Sequence, residues 1–193
     1  MEQLKMEDEL SLPRAVACLR AGGLVAFPTD TVYGLAADVR NAAAIERLLS
    51  VKGRDFNKAI AVLVGSLDDL PFVFDMSAGL PDALMRLAER FWPGALTLVA
   101  GRAANLPAIL SPQPTLGVRM PNHAWVRQLL RDTGPLATTS ANLSGAANPL
   151  SAEDVLDQLA ERIDLLVDGG PSSVGLPSTV VDCTGQGVKI LRQ

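Results

Sequence analysis

Val25-Ala26-Phe27-Pro28-Thr29-Asp30-Thr31-Val32-Tyr33-Gly34-Leu35 starts as a short apolar strand, stops at Pro28, and enters a turn crowded with Thr29, Asp30, Thr31 and Tyr33 that Gly34 closes. A polar cluster at the end of a buried strand is where α/β proteins place ligands. Hydroxyls beside one carboxylate suit a small polar substrate that carries both an amine and a carboxylate. The same residues also make an ordinary Pro-Thr-Asp turn held by local hydrogen bonds. The other motifs of the chain separate the two readings.

Outward from this stretch, strands and helices alternate. Leu12, Val16 and Leu19 share a helical face, with Pro13 in the first turn and Gly22-Gly23 at the stop. Asn41 is placed to cap a helix bearing Ile45, Leu48 and Leu49. Pro81 and Asp82 open a helix with Leu84, Leu87, Ala88 and Phe91 facing inward, and Trp92-Pro93-Gly94 ends it. Asn122 is expected to cap a helix holding Val126, Leu129 and Leu130, with His123 a surface residue of its first turn. Ser151, with Asp154 three residues on, opens the helix of Val155, Leu156 and Leu159. Strands are expected at 24–27, 59–64, 95–100, 116–119, 136–139, 165–167, 180–182 and 188–191. The last ones come without helices between them, which predicts an α/β fold with a twisted, open, mixed sheet and helices packed on it, in one domain spanning 1–193.

Polar groups gather at the strand ends. Lys52-Gly53-Arg54-Asp55-Phe56-Asn57-Lys58 puts three cations in seven residues before a strand. They could clamp phosphates, or simply solvate a helix end whose dipole favours cations. Arg119 sits in an apolar strand, where an unpaired charge is costly; it needs either a structural carboxylate or an anionic ligand, and the ligand is the reading preferred here. Leu136-Ala137-Thr138-Thr139-Ser140-Ala141-Asn142-Leu143-Ser144-Gly145 repeats the strand-then-hydroxyl pattern and could face phosphates or a carboxylate, or be a Ser/Thr turn cap. The Pro-rich segment from Gly101 to Thr115 is a candidate lid.

Composition narrows the chemistry. The 193 residues carry a net charge of −4, which argues against strong independent RNA binding, as does an aromatic content of 4%. No apolar run reaches the ~18 to 20 residues of a membrane helix, and the acidic start lacks a signal-peptide pattern. Cys18 and Cys183 lack metal or redox spacing, so a soluble, cytoplasmic protein is expected. With one histidine, His-based nucleophile pairs and His-rich metal sites are disfavoured, and no P-loop or dinucleotide fingerprint is present. Hydroxyls, an amide, glycines and cations suit a reaction driven by positioning and charge stabilisation, such as nucleotidyl or phosphoryl transfer.

In order, Pro28-Thr29-Asp30-Thr31-Val32-Tyr33-Gly34-Leu35, Lys52-Gly53-Arg54, Trp92-Pro93-Gly94, Val118-Arg119-Met120-Pro121, Ser140-Ala141-Asn142-Leu143-Ser144-Gly145, Asp168-Gly169-Gly170 and Ser178-Thr179-Val180-Val181-Asp182 resemble the YrdC/Sua5 family. The resemblance runs from Leu12 to Arg192 and is to the short, single-domain form, with the YrdC/RibB-like fold. It implies an L-threonylcarbamoyladenylate synthase, a nucleotidyltransferase that joins L-threonine, bicarbonate or CO2, and ATP with release of pyrophosphate. The product would feed the threonylcarbamoyladenosine modification of tRNA through a downstream transferase complex. Mg2+ would accompany ATP. The resemblance further implies threonine binding by Thr31, Arg119, Thr138 and Ser178. ATP would be held by Arg54, Lys58, Thr115, Ser140, Asn142, Asn148 and Arg192, with Lys52 and Arg54 catalytic at the phosphates. This chain departs from the family pattern at Asp55, Ala59 and Ala95, where prolines are usual, and Asp55 sets a negative charge beside the phosphate clamp. An RNA-binding module and a carbamoyl-adenylate-forming paralogue are the alternatives; retention of Thr31 and its partners speaks against the second.

Overall fold

The computed structural model describes residues 1–193 except Arg54, Phe56, Ser173, Val174 and Gln186. The chain runs β1 (Glu2–Lys5), α1 (Ser11–Arg20), β2 (Val25–Phe27), β3 (Gly34–Asp38), α2 (Ala42–Val51), β4 (Ala61–Leu63), α3 (Leu70–Val73), α4 (Asp82–Phe91), β5 (Leu96–Gly101) and β6 (Thr115–Arg119). It continues with α5 (Ala124–Thr133), β7 (Leu136–Ser140), α6 (Ala152–Leu159), β8 (Leu165–Asp168), β9 (Thr179–Asp182) and β10 (Lys189–Arg192). These strands form one sheet in the order β1-β8-β2-β3-β7-β4-β6-β5-β9-β10. Pairing is mixed: β2 is parallel to β8 and antiparallel to β3, and β6 is parallel to β4 and antiparallel to β5. This is the α/β mixed sheet that the alternating elements predict.

Side-chain alternation sorts the strands onto two faces. On one face Ala26, Leu35, Val62, Leu98, Val118 and Ala137 pack with Ile45, Leu48 and Leu49 of α2, Leu84 of α4 and Val155 of α6. On the other, Val25, Phe27, Ala36, Leu63, Leu136 and Val167 meet Ala15 and Leu19 of α1 and Val126, Leu129 and Leu130 of α5. That second cover stops at β4 and β7. Beyond it the same face of β4, β5, β6 and β9 carries Ala61, Thr97, Thr115, Gly117 and Arg119 beside the smaller apolar Val99 and Val180, and a cleft opens there.

Local signals hold where they are short-range. Asn41 accepts a bond from Ala44 N at 3.1 Å. Ser151 and Asp154 form a reciprocal capping box. Four expectations are corrected. Strands β1 and β3 are present where no strand was expected. Phe91 is 53% exposed, although it sits at an inward phase of α4. His123, not Asn122, takes the cap position of α5, without a side-chain cap bond, and it is half-buried; burial pulls its imidazole below the ordinary value, opposed by the charge of Asp30. Segment 101–115 is pinned rather than free: Leu106 and Leu110 are buried, Ile60 N donates to Leu110 O at 2.8 Å, and Ala103 N donates to Val73 O at 3.1 Å.

Candidate functional site

The cleft has a volume of about 420 Å³ and its floor is the uncovered sheet face. Two glycines keep that floor low. A Cβ on Gly117 would stand 3.1 Å from Thr97 Cγ2, and one on Gly34 would stand 3.0 Å from Thr138 Cγ2. The walls are the turn after β2, the segment before β4, the ends of β6 and β7, and β10.

The turn 28–33 is held by its own side chains and by distant backbone. Thr29 Oγ1 donates to Val32 O at 2.7 Å and accepts from Thr31 N at 3.1 Å. Tyr33 OH donates to Gly170 O at 2.7 Å, Tyr33 N donates to Pro149 O at 2.9 Å, and Gly175 N donates to Thr31 O at 2.8 Å. Burial pushes the Tyr33 phenol up to about 12, so it stays a neutral donor.

Arg119 enters the cleft from the end of β6 with its side chain 8% exposed. Its Nε donates to Gly94 O at 2.9 Å and its Nη1 to Thr31 Oγ1 at 2.8 Å, while Nη2 forms an ion pair with Asp30. Burial pulls the guanidinium below its ordinary value and Asp30 opposes this. The preference for a ligand alone is therefore corrected: Arg119 has a structural carboxylate, because a buried charge without one is costly. It still lines the cleft, and two of the five guanidinium N–H groups remain beyond these three bonds.

Thr31, Thr138 and Ser178, expected at threonine, all line the same cavity and are all buried. Thr138 Oγ1 donates to Leu136 O at 3.1 Å. Ser178 Oγ shares a 2.7 Å hydroxyl contact with Thr97 Oγ1. Thr115, Ser140, Asn148 and Arg192, expected at ATP, line it too. Arg192 reaches across from β10, its Nε and Nη2 donating to Ser178 O at 3.0 and 2.8 Å. All four expected threonine residues and four of the seven expected ATP residues thus meet in one cavity.

Three expected residues sit elsewhere. Lys52 is 2% exposed and does not line the cleft. Its Nζ donates to the carbonyls of Ser140 and Asn142, and to Asn142 Oδ1 at 3.3 Å. A buried ammonium needs oxygens around it, and the turn after β7 supplies them, so Lys52 holds that turn in this geometry. Asn142 lies under the same turn, its Oδ1 accepting from Ser140 Oγ at 2.5 Å and its Nδ2 donating to Ala146 O at 2.8 Å. Lys58 is exposed beside Ala59, which lines the cleft. Arg54 lies outside the described residues.

Thr97 and Gly117, which the sequence reading passed over, also line the cleft. Thr97 is a lone hydroxyl in the apolar run Leu96-Thr97-Leu98-Val99, a signal that period-2 alternation could have placed on the face opposite the core. Asp30 stood in the opening turn, but its pairing with Arg119 had no local signal. Among the described residues no three His, Cys, Asp or Glu side chains gather where they could hold a metal ion, and no helix is long and apolar enough to cross a membrane.

Comparison with known proteins agrees with this architecture. A putative threonylcarbamoyl-AMP synthase of Mycobacterium tuberculosis is 42% identical over 180 residues, covering 92% of this chain and 81% of that protein. The threonylcarbamoyl-AMP synthase of Bacillus subtilis is 40% identical over 196 residues, covering 96% of this chain and 55% of that protein. The crystal structure of P. abyssi Sua5 complexed with L-threonine matches 99% of this chain and 56% of its own, with a TM-score of 0.93 and 34% identity. The chain thus spans a little over half the length of the last two. The Sua5/YciO/YrdC family model, described as telomere recombination, matches residues 17–193. A match over that span, with relatives of this identity, means that the chain belongs to the Sua5/YciO/YrdC family.

Proposed function

We propose that this chain is a threonylcarbamoyl-AMP synthase, forming L-threonylcarbamoyladenylate and pyrophosphate from L-threonine, bicarbonate or CO2, and ATP. The observation that carries the reading is the convergence of an ion-paired Arg119 and the hydroxyls of Thr31, Thr138 and Ser178 with Thr115, Ser140, Asn148 and Arg192 in one cavity. The names of the relatives and the threonine complex of the P. abyssi protein support it.

The cleft suits chemistry in which the substrates supply the reactive groups. The amine of threonine adds to CO2, giving an N-carboxylate and releasing a proton. A carbamate oxygen then attacks the α-phosphorus of ATP; the new P–O bond forms as the bond to the bridging oxygen breaks, and pyrophosphate leaves with that electron pair. The protein's part is to hold two anions together and keep water from a labile carbamate. Arg119 faces the amino-acid carboxylate, and Arg192, with the exposed Lys58 near the rim, faces the nucleotide. Mg2+ would accompany ATP as the counter-ion of its phosphates. The product would pass to a tRNA-modifying transferase.

The test is pyrophosphate release from ATP and Mg2+ with L-threonine and bicarbonate, and with each omitted. Release should need both and fall at least about 100-fold in Arg119→Ala, the cost of a lost charge-assisted contact to the substrate and of breaking the buried pair with Asp30. Release without threonine, or acceptance of carbamoyl phosphate in its place, would overturn the reading in favour of a paralogue with another acceptor.

A further inference from the structure

Trp125 Nε1 donates to Ser11 Oγ at 3.2 Å and Arg20 Nη2 donates to Asp132 O at 2.8 Å, so α1 and α5 lie side by side and run in the same direction. Ala15 and Leu19 turn α1 towards the sheet. At about 100° per residue, the ridge facing away from them is Leu10, Pro13, Ala17 and Arg20. All four are exposed, Leu10 at 64%. The outer ridge of a surface helix normally carries charge, but the middle of this one has none. Leu12, Pro13, Val16 and Ala17 instead border an open groove of about 490 Å³, together with Arg20 and Asp132.

Charge gathers at the two ends of α1. Glu7, Asp8 and Glu9 are exposed just before it, and Arg20 is exposed in its last turn. Among the described residues no ion pair engages Glu7, Glu9 or Arg20. Arg14, on the flank of the ridge, is already paired with Glu2 at 2.6 Å. Asp132, at the basic end, accepts from Gln128 Nε2 at 3.0 Å.

We infer that the outer face of α1 is a self-association surface, on which a second copy of this chain packs its own α1 antiparallel about a two-fold axis near Pro13 and Ala17. A two-fold contact joins a patch to itself, so the patch must be self-complementary. This one has an acidic end, an apolar middle and a basic end. Antiparallel pairing sets Glu9 of each copy opposite Arg20 of the other, lays Leu10 and Val16 along the facing ridge, and opposes the two helix dipoles. Parallel pairing would set like charge on like. Ala17 is small enough for the two backbones to come close. None of the four ridge residues lines the cleft, so the inference stands apart from the chemistry proposed there.

The experiment is sedimentation equilibrium of the whole protein from about 5 to about 500 µM. Wild type should pass from monomer to dimer with a Kd of about 10 to 100 µM, as suits a contact at the small end of specific interfaces. Raising salt from about 0.05 to about 0.5 M should weaken it about threefold or more, since the end pairs are exposed. Arg20→Glu should raise Kd at least about 10-fold, and adding Glu9→Arg to the same chain should return it to within about threefold of wild type. Ala17→Glu, which brings two carboxylates together near the axis, should abolish the dimer. Each variant should keep the wild-type urea midpoint, because all three positions are exposed. A monomer at every concentration overturns the inference and leaves the groove to a different chain. A dimer that survives both Arg20→Glu and Ala17→Glu also overturns it, because it then forms through another surface.

Discussion

Arg119 and Asp30 show how much hangs on single groups here. Both side chains are nearly buried, at 8% and 11% exposed, yet they border an open cleft. Removing one partner of a buried pair strands the other charge, at about 3 kcal/mol, the low end of the usual range because the cleft admits water. Asp30→Ala should therefore lower stability by about that amount in urea unfolding and weaken threonine binding at least about 10-fold, since Arg119 loses its orienting bond. Asp30→Asn keeps an oxygen for Nη2 and should recover part of both. A variant with normal stability and normal threonine affinity would mean that the pair is incidental. The charge in the strand was legible, because Arg in an apolar run is anomalous wherever it occurs. Its partner was not, since residues 30 and 119 meet only through the placing of β6 beside the turn after β2.

At the scale of elements, the turn after β7 depends on α2. Lys52, at the C-terminal end of α2, draws the carbonyls of Ser140 and Asn142 towards itself, and Ser144 N donates back to Lys52 O at 2.9 Å. Lys52→Met keeps the volume and removes the ammonium. It should weaken ATP binding about 10-fold or more by loosening the wall that carries Ser140 and Asn148, yet change threonine affinity less than about twofold. Parallel nucleotide and threonine titrations check this; equal losses would show general damage to the fold. Caps such as Asn41 and Ser151 were legible because donor and acceptor lie three residues apart. Phe91 was not, since periodicity says which residues share a face and not where the surface opposite them ends. Strand β1 escaped notice because Glu2-Gln3-Leu4-Lys5 is polar, and only pairing with β8 makes it a strand.

Across the whole molecule, two carboxylates on β8 and just before it tie remote parts together. Asp164 accepts from Leu24 N at 2.7 Å and pairs with Arg47; burial pushes its carboxyl up, but Arg47 and the Leu24 amide outweigh this and hold it below the ordinary value. Asp168 is held low chiefly by its bond from Lys5, then by the Gly170 amide. A carboxyl lowered in the folded state contributes stability that is complete above its unfolded pKa and lost as pH falls through the folded one. Denaturant midpoints should be level near neutrality and drop below about pH 4, where unfolded aspartate takes up protons. Asp164→Asn should flatten that drop while lowering the neutral midpoint; an unchanged acid limb would remove Asp164 from the account.

The sequence by itself determined the α/β class, the strand ends where polar groups collect, the helix caps and the family, because these rest on spacing within a few residues and on motif order. The tertiary structure alone decided that the cleft is the half of one sheet face that α1 and α5 leave bare, that Arg119 is partnered by Asp30, and that Lys52 is buried beneath the turn after β7. Such pairings join residues far apart in the chain. They follow from strand order and from which side each crossover packs, and hydrophobic periodicity encodes neither.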